Sequence, residues 1–269
     1  KVSEEDIGLG WVAAVDFRRG GDGCPAQPCR NYGKLEKLHN GIVLGAVADG
    51  AGTASRSHVG AKISVRSGLA ALRTQSEGLT GALLGGPRDP LNDLFAKVMD
   101  TVGEAVRDGA RTEGVPVPEL ATSLTVFFAG PFGLAAMQIG RNLLVYRTRG
   151  GDYGLVFDIN HDEDQPETVT CSHATDAMRV GAMRGPVEFL CLASKAFQPV
   201  SLGDAAPQPS IPFFRPLDRY ASGALDDGDV HRGIREFLRT SDLSRDAEED
   251  LTLALCRYNP GEPALGYAK

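Results

Sequence analysis

The sequence predicts an α+β protein whose strands pair antiparallel. Short apolar runs rich in Val, Leu and Phe, bounded by Gly, Pro or Asn, are typical of β-strands. The turn signals at residues 130–133 and 140–142 separate successive runs by only a few residues, and strands joined so closely pair antiparallel. Two long helical patterns lie between the second and third runs, and neither a repeat nor a linker divides the 269 residues. We therefore expect one domain over residues 1–269.

Eight apolar runs are predicted strands, because each is short, rich in strand-forming residues and bounded by turn formers. The predicted strands are residues 10–17, 41–48, 123–129, 134–139, 143–147, 154–157, 188–192 and 251–257. Three segments instead carry apolar residues at helical spacing. The first two are residues 55–74 and 91–112, and we expect these helices to be adjacent and antiparallel. The third lies near the C-terminus and presents Val230, Ile234, Phe237 and Leu238.

The charge of the chain favours a protein as its partner. A net charge of −7, with no basic run or basic helix, disfavours binding to nucleic acid or to an anionic membrane. The proline-rich segment 205–216 predicts a loop. Its Phe213 and Phe214 either pack on a neighbouring element or contact the protein partner, and we take them as candidates for that contact.

Cysteine usage and the absence of targeting patterns predict a cytoplasmic protein. No signal-peptide pattern opens the sequence, and no apolar run reaches the ~18–20 residues that a membrane span needs. The five cysteines are scattered and odd in number, which favours reduced thiols. Cys24 and Cys29 have no second Cys or His pair to complete a zinc site, so we expect no zinc.

Asp49 carries the strongest functional signal. The apolar run 41–48 leads directly into the sequence Asp-Gly-Ala-Gly, and a helical pattern begins near Ser55. A carboxylate at the end of a buried strand is either a metal ligand or a cap for the helix that follows. No phosphate-binding loop, dinucleotide fingerprint or serine nucleophile elbow occurs elsewhere in the strand–turn–helix context that each requires.

Five segments in this order resemble a known family. They are GGDGCPAQPCRNYG at residues 20–33, AVADGAG at 46–52, ATSLTVFFAGPFGLAAMQIGRNLLVYR at 121–147, VEFLCLASKAF at 187–197 and EEDLTLALCRY at 248–258. Together they resemble the metal-dependent protein serine/threonine phosphatases of the protein phosphatase 2C family, in its bacterial branch. The resemblance implies a four-layer α/β/β/α sandwich of two antiparallel sheets flanked by helices.

The resemblance also implies a site for two Mn²⁺ or Mg²⁺ ions that activate a water molecule. Asp49 matches the bridging aspartate, and Gly50 matches the glycine whose carbonyl is a ligand. Glu249 falls at the metal aspartate of the last strand, with Asp250 beside it. Asp49, Gly50 and Glu249 are therefore the ligands expected if any metal binds. The simpler interpretation of Glu249 and Asp250 is an acidic lead-in to a strand.

Three positions depart from the family pattern. Asn31 stands where the pattern has the Cys-Gln-Asp aspartate, Arg141 where it has the Gly-Asp aspartate, and Lys195 where it has the Ser-Asp-Gly aspartate. Two carboxylates are thus replaced by cations, which repel divalent ions. We expect Lys195 or Arg141 to form a salt bridge with Asp49 or Glu249. The simpler alternative is that both cations extend into solvent.

These departures support two functional hypotheses. The first is a pseudophosphatase with vestigial catalytic positions Asp49, Gly50, Glu249 and Asp250 and no cofactor, acting as a binding or regulatory module for a protein such as a kinase or a phosphoprotein. The alternative is a Mn²⁺- or Mg²⁺-dependent phosphoserine/phosphothreonine phosphatase with a rearranged metal site. Metal binding distinguishes the two, because the sequence offers no other nucleophile.

Overall fold

The computed structural model describes residues 9–20, 28–85, 89–159, 167–203, 207–240 and 249–260. These residues contain two antiparallel five-stranded sheets. In chain order the strands are β1 (Leu9–Arg18), β2 (Tyr32–Leu38), β3 (Ile42–Ala48), β4 (Leu124–Gly130), β5 (Gly133–Ile139), β6 (Leu143–Thr148), β7 (Tyr153–Leu155), β8 (Arg179–Arg184), β9 (Val187–Ala193) and β10 (Leu251–Pro260). The first sheet has the order β1-β10-β9-β6-β7 and the second the order β2-β3-β4-β5-β8.

The helices lie on the outer faces of the two sheets. In chain order they are α1 (Ser57–Thr74), α2 (Ser76–Leu84), α3 (Asp89–Glu113), α4 (Ala174–Ala177), α5 (Gln198–Ser201), α6 (Ile211–Ser222) and α7 (Asp227–Thr240). The outer face of the second sheet packs against α1, α2 and α3, and that of the first sheet packs against α6 and α7. A third core joins the inner faces of the two sheets. The four-layer sandwich is therefore confirmed.

Strand β3 shows how this layering produces a continuous apolar run. Leu44 and Ala46 belong to the core beneath the helices, whereas Val43 and Val47 belong to the core between the sheets. Alternate side chains of a strand point to opposite faces, and here both faces are covered, so every residue is buried. The position of the strand is therefore fixed by packing on both faces, and the residues that follow it lie at the edge of the sandwich.

All eight predicted strands are present, although the sixth covers Tyr153–Leu155 instead of residues 154–157. Strands β2 and β8, which are the two edges of the second sheet, were not predicted. Strand β2 carries three charged residues within YGKLEKL and is mostly half-buried or exposed. Edge strands often carry charge that discourages pairing with other chains, and such strands lack the apolar run that the prediction depended on.

The predicted pairing of the two long helices is confirmed. A Cβ on Gly109 of α3 would lie 2.2 Å from Cδ1 of Ile63, and one on Gly68 of α1 would lie 3.6 Å from Cγ2 of Val102. Residue numbers rise along one helix as they fall along the other, so α1 and α3 are antiparallel. The predicted C-terminal helix is α7, in which Val230, Ile234 and Leu238 are buried.

The loop predicted over residues 205–216 is wrong from residue 211 onward, where α6 begins. Proline is tolerated in the first helical turn, where its missing N–H would have no helical partner, and Pro212 occupies that turn. Phe214 is completely buried, and Phe213 packs edge-on against it with ring centroids 4.9 Å apart. Phe214 belongs to the core of the first sheet, and the half-buried Phe213 packs against that core. The hypothesis that Phe214 contacts a partner is therefore wrong. Residues 205–206 lie outside the described residues.

Two further expectations can be compared with the structure. Cys29, Cys171, Cys191 and Cys256 are free thiols, and Cys24 lies outside the described residues. In the described part of the chain, every helix is too short or too polar to cross a bilayer.

Candidate functional site

A cleft of about 640 Å³ lies at one edge of the sandwich, where several strands end. Residues from the end of β3, the turn between β5 and β6, the end of β9 and the start of β10 line it. Asp49, Gly50, Arg141, Lys195, Glu249 and Asp250 are all among its lining residues. The structure thus brings together every predicted site position except Asn31, which lies beside the cleft.

Asp49 is held in the cleft by its backbone. Its N–H donates to Oγ of Ser123 at 3.1 Å, and its carbonyl accepts from the N–H of Ser123 at 2.9 Å and from the hydroxyl of Thr122 at 3.0 Å. These bonds tie the end of β3 to the start of β4. The alternative interpretation as a helix cap is wrong, because α1 begins after Arg56 without any side-chain cap.

The carboxyl group of Asp49 has a raised pKa. Its pKa is raised from the usual 3.8 to about 7, mainly by burial and to a lesser extent by nearby Glu249, against a partly opposing effect of Lys195. Within the described residues it takes no hydrogen bond or ion pair. An ionised carboxylate that is partly buried without a partner is unfavourable, so the folded protein binds a proton at Asp49 more tightly than the unfolded chain does.

This shift predicts that Asp49→Asn stabilises the protein at high pH in the presence of a chelator. The stability that protonated Asp49 contributes is complete below pH 3.8 and is lost as pH rises through about 7. Asparagine cannot ionise, so its advantage should be absent near pH 4 and should reach up to roughly 4 kcal/mol near pH 8. Denaturant unfolding at both pH values measures it.

Asp108→Asn is the matched control, because Asp108 is exposed and forms a surface ion pair with Arg111. It should show no comparable gain at high pH. An Asp49→Asn variant with the same stability difference from the wild type at both pH values would contradict the proposed burial of charge.

Gly50 forms the tight turn that follows Asp49. A Cβ at this position would lie 2.8 Å from the carbonyl oxygen of Arg30 and 2.8 Å from Oγ of Ser57. Backbone and helix therefore approach Gly50 too closely for any other residue. Gly50 also forms an isolated bridge with Thr122, which fixes the turn against the strand that follows α3.

Lys195 and Glu249 form the cation–carboxylate pair that the sequence analysis expected. The distance from Nζ of Lys195 to Oε1 of Glu249 is 3.0 Å, and the side chains are 42% and 50% exposed. A pair this exposed contributes only ~0–1 kcal/mol to stability. Its importance lies in position, because the ammonium group neutralises the acid at the entrance to the cleft.

Asp250 has a structural role. Its Oδ1 accepts the N–H of Gly20 at 2.9 Å, and its Oδ2 accepts the N–H of Arg30 at 2.6 Å. The side-chain amide of Asn31 donates to the backbone carbonyl of Asp250 at 2.9 Å. The side chains of Asp250 and Asn31 thus join the start of β10 to the segments that flank β1 and β2.

Unlike Lys195, Arg141 forms no salt bridge with Asp49 or Glu249. It lies in the turn between β5 and β6, after Gly140, whose φ of 96° favours glycine. Its carbonyl accepts a hydrogen bond from Nε2 of Gln198 at 2.7 Å. The Nε and Nη2 atoms of its guanidinium are buried and have no hydrogen-bond partner among the described residues.

Two parts of the cleft were not predicted from the sequence. Arg30 lines it and places its Nε 4.0 Å from Oδ2 of Asp250; its position next to Asn31 could have indicated it. The other missed part includes Glu167, Thr168 and Cys171. No local pattern marks that segment, which is placed by a hydrogen bond from the N–H of Val169 to the carbonyl of Thr122.

The arrangement of acids bears on metal binding. Among the residues that the structure describes, no three His, Cys, Asp or Glu side chains come together as a potential metal-binding group. Asp250 already accepts two backbone N–H groups, and Glu249 already pairs with Lys195. Of the three acids expected here, only Asp49 is not engaged in this way.

Comparison with known sequences gives two matches. The family model for protein phosphatase 2C matches residues 26–239. Serine/threonine-protein phosphatase 3 of Escherichia coli strain K12 is 25% identical over 227 residues, which cover 79% of this chain and 82% of that protein.

Comparison with solved structures finds the same architecture. The serine/threonine phosphatase of S. agalactiae matches with a TM-score of 0.61 and 10% identity over 92% of this chain and 99% of that one. The phosphatase Stp1 of Staphylococcus aureus matches with a TM-score of 0.57 and 11% identity over 95% and 99%. The catalytic domain of the phosphatase PstP, in complex with two manganese ions, matches with a TM-score of 0.55 and 13% identity over 92% and 97%. At these identities the likeness shows the fold alone.

Proposed function

Because this chain belongs to the protein phosphatase 2C family, we propose that it is a pseudophosphatase, which keeps the family fold as a protein-binding or regulatory module. Hydrolysis of a phosphate monoester is among the slowest uncatalysed reactions, and enzymes accelerate it by up to ~10²¹-fold. Phosphatases of this family use Mn²⁺ or Mg²⁺ for that purpose. A member that does not gather these ions retains the architecture and loses the chemistry.

The observation that carries the proposal is the ion pair between Lys195 and Glu249. Divalent ions of this kind need several oxygen ligands whose negative charge balances their own. Here the ammonium group lies 3.0 Å from the carboxylate, which is hydrogen-bonding distance. A single ammonium carries half the charge of a divalent ion and cannot activate water. Lys195 thus pairs with Glu249, the carboxylate beside the last strand that would otherwise be a metal ligand.

The remaining candidate ligands support the same conclusion. Both carboxylate oxygens of Asp250 accept backbone N–H groups, and the amide of Asn31 is a neutral, weaker ligand for a hard ion. Arg141 adds a second cation to the cleft. Asp49 and the carbonyl of Gly50 are then too few to hold two divalent ions, so the residues present do not fit that pair.

We propose a cytoplasmic protein partner, a phosphoprotein or a kinase. The net charge of −7 disfavours nucleic acid. One solved structure with a fold similar to that of this chain comes from work on the bacterial stressosome, a modular system adapted to control secondary messenger signalling. A regulatory role for the present chain is in keeping with that likeness.

The alternative function is a Mn²⁺- or Mg²⁺-dependent phosphoserine/phosphothreonine phosphatase with a rearranged site. One observation favours it. The pair between Lys195 and Glu249 is about half exposed, so it is weak enough for a competing cation to displace. Asp49, Gly50 and Glu249 would then be the ligands.

The experiment is a turnover assay on p-nitrophenyl phosphate and on a phosphoserine peptide, at millimolar Mn²⁺ or Mg²⁺ and in chelator. We expect no difference between the two conditions, because the cleft holds too few free carboxylates. Titration calorimetry should show no Mn²⁺ binding at concentrations up to about a millimolar. A Kd above that value corresponds to weak binding.

Asp49→Asn is the control for both measurements. A metal-dependent rate that this variant abolishes would overturn the pseudophosphatase proposal in favour of the enzyme. A small rate that persists in Asp49→Asn would indicate a contaminating phosphatase and would leave the expected result in place.

A further inference from the structure

The guanidinium of Arg141 carries hydrogen-bond donors that the described residues leave unused. Its Nε and Nη2 are buried and have no partner in the described part of the chain. These two nitrogens form one edge of the guanidinium, and their parallel N–H groups match two oxygens of a single anion. A buried cation without partners is unfavourable. An anion that supplied the missing acceptors would therefore be bound with a gain in free energy.

The backbone that carries Arg141 is fixed. Gln198 donates from Nε2 to the carbonyl of Arg141 at 2.7 Å. On the following residue, Asn142, the carbonyl accepts from Nε2 of Gln138 at 2.5 Å. On the preceding residue, Gly140, a Cβ would lie 2.4 Å from Cβ of Ser123. Because this turn is rigid, only the side chain of Arg141 can move when an anion binds.

The surroundings of Arg141 have room for a ligand. Arg141 lines both the main cleft of about 640 Å³ and a neighbouring cavity of about 100 Å³. Arg141 as a whole is only partly buried, so a rotation of the side chain can turn its unpaired edge toward the cleft. A cleft of this size falls within the ~300–1,000 Å³ typical of sites that enclose a molecule larger than a single ion.

The acids of the cleft are engaged by other groups. Glu249 lies 3.0 Å from the ammonium of Lys195, and Asp250 accepts two backbone N–H groups. Glu167 is bonded at 3.0 Å to an exposed histidine. Asp49 is the exception, because it lines the cleft but its carboxyl group forms no hydrogen bond or ion pair with Arg141 or with another described residue. The charge of Arg141 is therefore available to a ligand.

We propose that this cleft binds a phosphate monoester without a metal ion, that Arg141 is its main ligand, and that the ester is a phosphorylated side chain of a partner protein. A phosphate monoester has three terminal oxygens. Two can accept from Arg141, and the third remains for Arg30 or for the cleft residues Ser123 and Thr53. A carboxylate has only two oxygens and leaves those donors unused. This binding mode rests on the proposed function, because metal ions held by Asp49 would otherwise bind the phosphate in place of Arg141.

The test is titration calorimetry in chelator with three probes: inorganic phosphate, O-phospho-L-serine and a short phosphoserine peptide. We expect the peptide and the amino acid to bind. We expect Arg141→Gln to weaken both by at least about tenfold, because the two-point contact is lost. Arg141→Lys keeps the charge without the paired N–H groups, so it should fall between the wild type and Arg141→Gln.

Arg111→Gln is the matched control, since it removes the same charge from an exposed residue of α3 that is paired with Asp108. It should bind like the wild type. As a second readout, the phosphopeptide should raise the melting temperature of the wild type and of Arg111→Gln. It should not raise that of Arg141→Gln. This comparison shows whether each variant folds.

Three results would overturn the proposal: no binding of either ester to the wild type at about 10 mM, equal binding to Arg141→Gln, or binding of inorganic phosphate without the esters. Failure of the proposed function gives a different pattern. Mn²⁺-dependent hydrolysis together with Arg141-dependent binding in chelator would refute the pseudophosphatase and leave the anion site standing. The absence of both hydrolysis and binding would refute the anion site and leave the pseudophosphatase proposal standing.

Discussion

The double variant Lys195→Asp/Arg141→Asp is expected to bind Mn²⁺ at least about a hundredfold more tightly than the wild type, a gain of about 2.7 kcal/mol. The first substitution breaks the 3.0 Å pair with Glu249 and adds a carboxylate beside it. The second replaces a cation of the same cleft with another oxygen ligand. With Asp49, four acids could then neutralise the ions that two cations now repel. Titration calorimetry measures the affinity.

The control is Lys195→Gln/Arg141→Gln, which removes both cations without adding a carboxylate. If ligand number limits binding, this variant should remain close to the wild type. Melting curves give an independent readout, because Mn²⁺ at about a hundred times its Kd should stabilise the aspartate variant by about 2.7 kcal/mol. Equal Mn²⁺ affinity in the wild type and the aspartate variant would refute the charge argument.

Gly60→Ala is expected to cause the largest loss of stability, roughly 3 kcal/mol. A Cβ at Gly60 of α1 would lie 2.0 Å from the carbonyl oxygen of Leu120 and 2.8 Å from its carbonyl carbon. Both are backbone atoms, so the helix or the segment before β4 must move. Because Ala121 lines the cleft, the movement should also disturb the site. Denaturant unfolding measures the loss.

Gly81→Ala provides the matched control within α2. No atom lies within 4 Å of a Cβ built at Gly81, and alanine loses less conformational entropy in a helix than glycine. The variant should therefore be more stable than the wild type by about 0.5–1 kcal/mol. Similar effects of the two substitutions would mean that α1 does not pack against Leu120 as closely as described.

Local patterns in the sequence determined most of the secondary structure. Strands such as β3 are buried on both faces, and their continuous apolar runs follow directly from that burial. The long helices show their buried stripe at helical spacing. The same information failed at the edges. Strand β2 carries three charged residues among its seven. Phe214 lies in a segment whose prolines indicate a loop, and its burial in α6 depends on the first sheet.

The sequence by itself also placed Asp49, Arg141, Lys195 and Glu249 at strand ends, because each follows or precedes an apolar run. It could not assign their partners. Asp250 resembles a ligand in the sequence, yet it bonds to the N–H groups of Gly20 and Arg30, which are 230 and 220 residues away. A residue type specifies which hydrogen bonds a side chain can form. Which ones it does form depends on groups that are brought together only when β1, β2 and β10 pack at one edge of the sandwich.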